Sequence, residues 1–161
     1  MARYEPCDPD FADRIAGSFA RQSFMATIGA SLRRVEPGRV EIVLPWRDDL
    51  TQQHGFFHGG VVGTLADNAG GYAAFTLFPA DASVLTVEFK LNLLAPARGR
   101  RLLAVSKVAR PGRTLTVCQS DVFGLEGRRR NYCATALVTL MCLPGKPDTP
   151  EMADGQVPVV A

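Results

Sequence analysis

Long apolar runs are missing from this chain, and no hydrophobic stretch reaches the ~18–20 residues needed to cross a bilayer. The opening Met1-Ala2-Arg3-Tyr4-Glu5-Pro6 also lacks the apolar stretch of a signal peptide, so a cytoplasmic protein with no membrane partner is expected. The four cysteines, Cys7, Cys118, Cys133 and Cys142, show no CxxC spacing. That excludes a zinc ribbon or a thioredoxin-like pair and points to reduced thiols. There is no GxSxG elbow and no phosphate-cradling glycine motif. Histidine is confined to His54 and His58, with neither an HExxH pattern nor a clustered third ligand, so no metal site is expected.

What is present fits one globular domain: 161 residues, 47% of them hydrophobic and 21% charged, with 15 Gly and 11 Pro. The net charge of +2 hides an uneven distribution. Residues 98–130 hold nine Lys/Arg against Asp121 and Glu126, a local excess of about +7 that suits either phosphate binding or a solvated basic face.

Periodicity orders the elements. Phe11, Ile15 and Phe19 recur at helical spacing within 10–25, with Asp8 or Asp10 available as N-cap. Residues 27–45 read as a hairpin around Glu36-Pro37-Gly38, its second strand spanning Arg39 to Leu44. Residues 58–78, free of Pro and rich in Ala, Leu and Gly, read as one long helix ending before Pro79. A strand over 84–93 alternates Leu85, Val87, Phe89, Leu91 and Leu93 with Thr86, Glu88, Lys90 and Asn92. Strands at 100–109 and 114–123 meet across Arg110-Pro111-Gly112-Arg113, and a last strand runs over 129–142. Its turn at Gly124-Leu125-Glu126-Gly127 places Cys118 opposite Cys133. The expected fold is α+β, one antiparallel sheet of about five to six strands in meander order packed against one principal helix, over residues 1–143. Residues 144–161, rich in Pro, Gly and acids, are expected to be a flexible tail.

The unusual residue is Asp67, which falls in the middle of the long helix beside Leu65, Ala66 and Ala69. An ionised carboxylate there is costly without partners. On a 3.6-residue period, Gly60, Gly63, Thr64, Gly70, Gly71 and Ala74 cluster around it, all of them small. Each helical glycine costs about 1 kcal/mol relative to alanine, so several together imply that a ligand or a second helix approaches the backbone closely. A helix-packing groove with Asp67 as an incidental hydrogen-bonder is the competing explanation.

The run His58-Gly59-Gly60-Val61-Val62-Gly63-Thr64-Leu65-Ala66-Asp67 resembles the signature of hotdog-fold acyl-CoA thioesterases of the phenylacetic-acid-degradation (PaaI-like) family, over roughly residues 25–142. The resemblance implies a hotdog fold, hydrolysis of acyl-CoA thioesters without a cofactor, and Asp67 as the catalytic carboxylate. It further implies Gly59 as backbone donor to the thioester oxygen, His58 and Gln52 at the same end of the site, and Thr86 as the residue that orients water; Gly60 is expected to be substrate-binding. The family often has Asn where Gln52 stands, and a small apolar stretch where this chain has Arg128-Arg129-Arg130-Asn131-Tyr132. A non-catalytic acyl-CoA or lipid-binding module of the same fold is the alternative.

The chemistry agrees with these residues. Free N–H groups at a helix N-terminus stabilise an oxyanion without a charged side chain, and a carboxylate serves as general base or as nucleophile. Gly59 and Asp67 are eight residues apart, roughly 12 Å along one helix, too far to act on one carbonyl. A homodimer, or a dimer of dimers, with sites shared between protomers is therefore expected. Arg110 and Arg113 flank a hairpin tip where coenzyme A phosphates could be met. Nucleic acid is not an expected partner, because no helix-turn-helix, zinc-finger or RRM signature accompanies the charge.

Overall fold

The structure is a computed structural model and describes residues 4–146 and 148–149. Two short helices, α1 (Phe11–Arg21) and α2 (Ser23–Ile28), precede a hairpin of β1 (Ser31–Glu36) and β2 (Arg39–Pro45). The central helix α3 (Gly59–Phe75) follows, then β3 (Ser83–Leu93), β4 (Arg101–Arg110), β5 (Leu115–Glu126) and β6 (Arg129–Leu143). The antiparallel six-stranded sheet, ordered β1-β2-β4-β5-β6-β3, curls around α3, which is the hotdog arrangement. Val62, Leu65, Ala66, Ala69, Ala73 and Phe75 of α3 are buried against Ile42, Leu44, Leu102, Val122, Val138 and Leu140 of the sheet. No helix among the described residues is long and apolar enough to cross a membrane.

Several expectations are corrected. The strands after α3 are not a simple meander, because β3 pairs with β6 at the far edge instead of with β4. The link between them is no tight turn: Leu94 and Ala95 donate to Cys133 O, and Arg100 donates to Leu125 O, so it crosses the ends of β6 and β5. The single helix expected over 10–25 breaks at Gln22, whose extended backbone (φ −76°, ψ 95°) separates α1 from α2. Helix α3 stops at Phe75, short of Pro79. There the Thr76 hydroxyl donates to Ala73 O and accepts from Gly38 N–H, while the Arg14 guanidinium takes the carbonyls of Phe75, Phe78 and Pro79.

Cys118 lies opposite Val138, not Cys133. The turn is tighter than the sequence suggests, with Glu126 opposite Arg129 and Gly127 in the left-handed region at φ +57°, and a bulge at Val122/Phe123 shifts the register again. All four cysteines are free thiols, and burial pushes Cys118 up to about 12. The flexible-tail expectation falls almost wholly on residues outside those described.

Candidate active site

The small residues of α3 divide into two groups, where periodicity alone puts them on one face. Gly70 and Gly63 pack on the sheet: a Cβ on Gly70 would meet the Val138 side chain at 3.0 Å, and one on Gly63 would meet Leu91 at 3.4 Å. Gly60, Thr64, Asp67 and Gly71 form a second, partly exposed stripe beside β3. Close helix–sheet packing thus accounts for one half of the glycines, and the other half bares the backbone around Asp67.

Strand β3 carries the partner of that carboxylate. Its clean alternation in sequence puts Thr86 on the face opposite Phe89, Leu91 and Leu93. A bulge between Thr86 and Glu88 changes the parity, so that Thr86, Phe89, Leu91 and Leu93 stand opposite Leu140, Val138, Ala136 and Ala134, all buried beneath α3. Thr86 Oγ1 then donates to Asp67 Oδ1 at 2.8 Å. Burial raises the Asp67 carboxyl above its ordinary value of 3.8, and the Thr86 hydrogen bond opposes that shift. The carboxyl titration, followed by NMR, is expected to have its midpoint above 3.8, and Thr86→Val to move it higher still, since the hydroxyl favours the ionised form. Because that hydroxyl proton is committed to Asp67, only the lone pairs of Thr86 are left to receive a water.

Asp67 and Thr86 line a pocket of about 290 Å³ together with Asn68, Gly71, Tyr72, Val84, Leu85, Asp148, Ser18 of α1 and Gln22 at the break between α1 and α2.

The start of α3 lines a different pocket, of about 470 Å³. Gly59 and Gln52 share it with Phe56, Phe57, Val62, Leu93, Leu94, Ala95, Pro96 and Ala97. His58 is the N-cap: its extended backbone leads into the helix and its Nδ1 accepts from Gly60 N–H at 2.9 Å. The Gly60 amide is thereby occupied, whereas Gly59 N–H has no partner among the described residues and carries the positive end of the helix dipole. Gln52 sits in a turn closed by Gln52 N–H to Phe56 O and Gly55 N–H to Gln52 O. Its side-chain oxygen accepts from His54 N–H, which leaves its amide NH2 free to donate into the pocket.

The structure therefore brings together Asp67 with Thr86 and, separately, Gly59 with Gln52 and His58. Arg110 and Arg113 lie at the hairpin tip at the opposite end of the sheet from Gly59: β4 ends there beside Gly38, which in turn bonds Thr76 at the C-terminus of α3. Sequence reasoning singled out neither Ser18, Gln22 and Asn68 nor Arg98 and Arg100. The last two line a pocket of about 750 Å³ with Trp46 and Phe56, where the Arg98 guanidinium stacks 4.4 Å above the Phe56 ring. The available signal was the interruption of the apolar stripe of α1, in which Ser18 shares the helical face of Ile15 and Phe19, with Gln22 next on the same period just past the helix end. Among the described residues no group of three or more His, Cys, Asp or Glu is placed to hold a metal.

A hotdog sheet wrapped on a helix that offers a free N-terminal amide and a half-buried carboxylate is chemically suited to hydrolysis at a carbonyl. The comparisons make this specific. Residues 54–130 match the thioesterase superfamily. A thioesterase family protein of Silicibacter pomeroyi shares 48% sequence identity in a solved structure, with a TM-score of 0.82 over 84% of this chain and 99% of its own. A Halobacterium salinarum protein carrying an esterase name is 31% identical over 121 residues, 71% of this chain and 80% of that protein. A Listeria monocytogenes 1,4-dihydroxy-2-naphthoyl-CoA hydrolase is 29% identical over 96 residues, 60% of this chain and 78% of the hydrolase. The chain belongs to the thioesterase superfamily and is a thioester hydrolase.

Proposed function

We propose that the protein hydrolyses acyl-CoA thioesters to free acid and coenzyme A at two equivalent sites, each built from two protomers. The observation that carries this reading is the pairing of functions on one helix: an unpartnered Gly59 N–H at its start and a Thr86-held Asp67 carboxylate in its middle. Gly59 receives the thioester oxygen as it becomes an oxyanion, the Gln52 amide is a second donor in the same pocket, and His58 holds the entry to the helix. Gly60 keeps the backbone bare beside the bound thioester.

Asp67 either takes the proton of a water that attacks the carbonyl carbon, or attacks that carbon itself to give an anhydride that water then opens. Thr86 holds the carboxylate in both routes, and in both the C–S bond breaks and coenzyme A leaves as thiolate. Label recovered in Asp67 after a single turnover in 18O-water would establish the anhydride route, since general-base attack places the water oxygen in the product acid alone.

Two features support a second copy. Gly59 and Asp67, eight residues apart on α3, are separated by roughly 12 Å. Strand β3 is an edge strand whose Leu85, Val87, Phe89 and Leu93 are 46–59% exposed, an apolar edge of the kind that is covered by a partner. With the two α3 helices antiparallel, Gly59 of one protomer stands beside Asp67 of the other. The end of that other protomer bearing Arg110 and Arg113 then lies beyond Gly59, on the side to which the coenzyme A phosphates extend.

Release of free thiol from a panel of acyl-CoA esters tests the activity; no release from any ester would refute it. Replacing both Arg110 and Arg113 with Ala is expected to raise KM for coenzyme A esters about tenfold, with little change for short thioesters lacking the nucleotide. Equal losses on both substrate types would remove the phosphate role.

A further inference from the structure

We infer that Arg21 and Asp148 form a latch that holds the segment after β6 as one wall of the acyl pocket, and that this latch sets how long an acyl chain the protein accepts. The inference rests on the reading of Asp67 as the carboxylate that meets the thioester carbon. Asp148 lines the same pocket as Asp67 and Thr86, although it lies five residues beyond the end of β6 at Leu143. Arg21, the last residue of α1, holds it there: Nη2 donates to the Asp148 carbonyl at 3.0 Å and to Asp148 Oδ2 at 2.8 Å. The other terminal nitrogen lies back along the helix over Gly17, where a Cβ would meet Nη1 at 3.5 Å. One guanidinium thus joins α1 to the segment that follows the sheet.

The pair stands near Tyr72, five residues and roughly 7.5 Å along α3 from Asp67. Burial raises the Tyr72 phenol above its ordinary value, its hydrogen bonds with Ser18 and Gln22 oppose that shift, and the charges of Asp148 and Arg21 act on it in opposite directions. The pocket holds about 290 Å³, against the ~150 Å³ that accommodates a benzene ring, so a short acyl group fits whole. A long straight chain outruns it. The walls supplied by α3 and β3 belong to the central helix and the sheet, and yielding there would disturb the core. The wall at Asp148 is different, because the Arg21 and Asp148 side chains are 46% and 25% exposed, and an ion pair so open to solvent is weak and screened by salt. It opens at small cost. Both residues lie outside residues 54–130, the segment that matches the superfamily, so the limit on length belongs to the flanks of this chain and not to the shared motif. An incidental surface pair would leave the acyl preference independent of its own making and breaking.

The experiment measures kcat/KM for butanoyl-CoA and dodecanoyl-CoA by thiol release in the wild type, in Arg21→Glu, in Asp148→Arg and in the variant carrying both substitutions. The wild type is expected to favour butanoyl-CoA by about tenfold or more. Each single variant sets like charges against each other, and is expected to shift that ratio about fivefold or more towards the longer ester. The double variant rebuilds the ion pair with its charges exchanged, and should return the ratio to within about twofold of wild type. The wild-type preference is also expected to relax as salt is raised, because screening loosens the latch, while the effect of salt on the nucleotide shared by the two esters cancels in the ratio. That series provides the readout should a charge-reversed variant fold poorly. A wild-type ratio near one, a ratio indifferent to salt, or folded single variants that match the wild type would each overturn the inference and leave the thioesterase reading standing. Relaxation in the single variants without recovery in the double would overturn it as well, since the two residues would then act apart. Absence of turnover of both esters in the wild type, and of every other acyl-CoA, would overturn the thioesterase reading together with it.

Discussion

Asp67→Asn is expected to lower thioester hydrolysis by about 10²–10⁴-fold, the range attributed to a positioned general base, while the protein stays folded. The substitution keeps the side-chain shape and an acceptor for the Thr86 hydroxyl, and removes only the group that can accept a proton. Stability should move in the opposite direction to activity. Burial raises the Asp67 carboxyl above 3.8 in the folded protein, so its contribution to stability is fully present below the unfolded value and is lost as pH rises through the folded one. Asparagine does not titrate. Melting temperatures should therefore diverge in favour of the variant as pH rises from about 4 into the neutral range. Activity within about threefold of wild type would show that another group is the base. A variant less stable than wild type at neutral pH would show that the ionised carboxylate is better paired than its surroundings indicate.

Gly59→Pro is the second large effect, and its logic is the removal of one N–H. Proline is accepted at the first position of a helix, and His58, at φ −61° and ψ 139°, already has the extended backbone that a residue before proline requires. The added Cβ meets only the tip of the Leu93 side chain, at 3.1 Å. Activity is expected to fall about 10²–10³-fold, as when one oxyanion donor is removed. Gly59→Ala makes the same contact with Leu93 but keeps the N–H, and should retain most of the activity. Equal losses in the two variants would assign the effect to the side chain and leave the amide without a role.

Much of this site is legible in the sequence because it is local. His58, Gly59 and Asp67 lie on one helix, and helical spacing is enough to show that a carboxylate sits among small residues, eight positions from a free amide. What lay outside the reach of spacing depends on tertiary register. The bulge between Thr86 and Glu88 turns Thr86 towards Asp67, and nothing in an alternating strand announces where its parity will change. The register of β5 on β6 is shifted by one tight glycine turn and one bulge, which separates Cys118 from Cys133. Strand order is the same kind of problem: the link from β3 to β4 contains Pro96 and Gly99 and reads locally as a turn, yet crosses two strands. The glycines were legible as a group but not as two groups, because sheet packing against Val138 and Leu91 and an open stripe beside β3 call for the same small residues.

The shared site is the central claim, and a mixed dimer tests it. Gly59→Pro and Asp67→Asn are each inactive for a different missing part. In a dimer of one of each, one site receives both defects and the other receives neither. Differently tagged variants are co-expressed, the mixed species is purified through both tags, and its turnover is measured beside both parents. The arrangement predicts recovery of up to about half of wild-type turnover per mixed dimer, by the symmetry of a shared interface. A verified mixed dimer of two folded variants that is as inactive as its parents would contradict it, and would place the oxyanion donor and Asp67 within one chain.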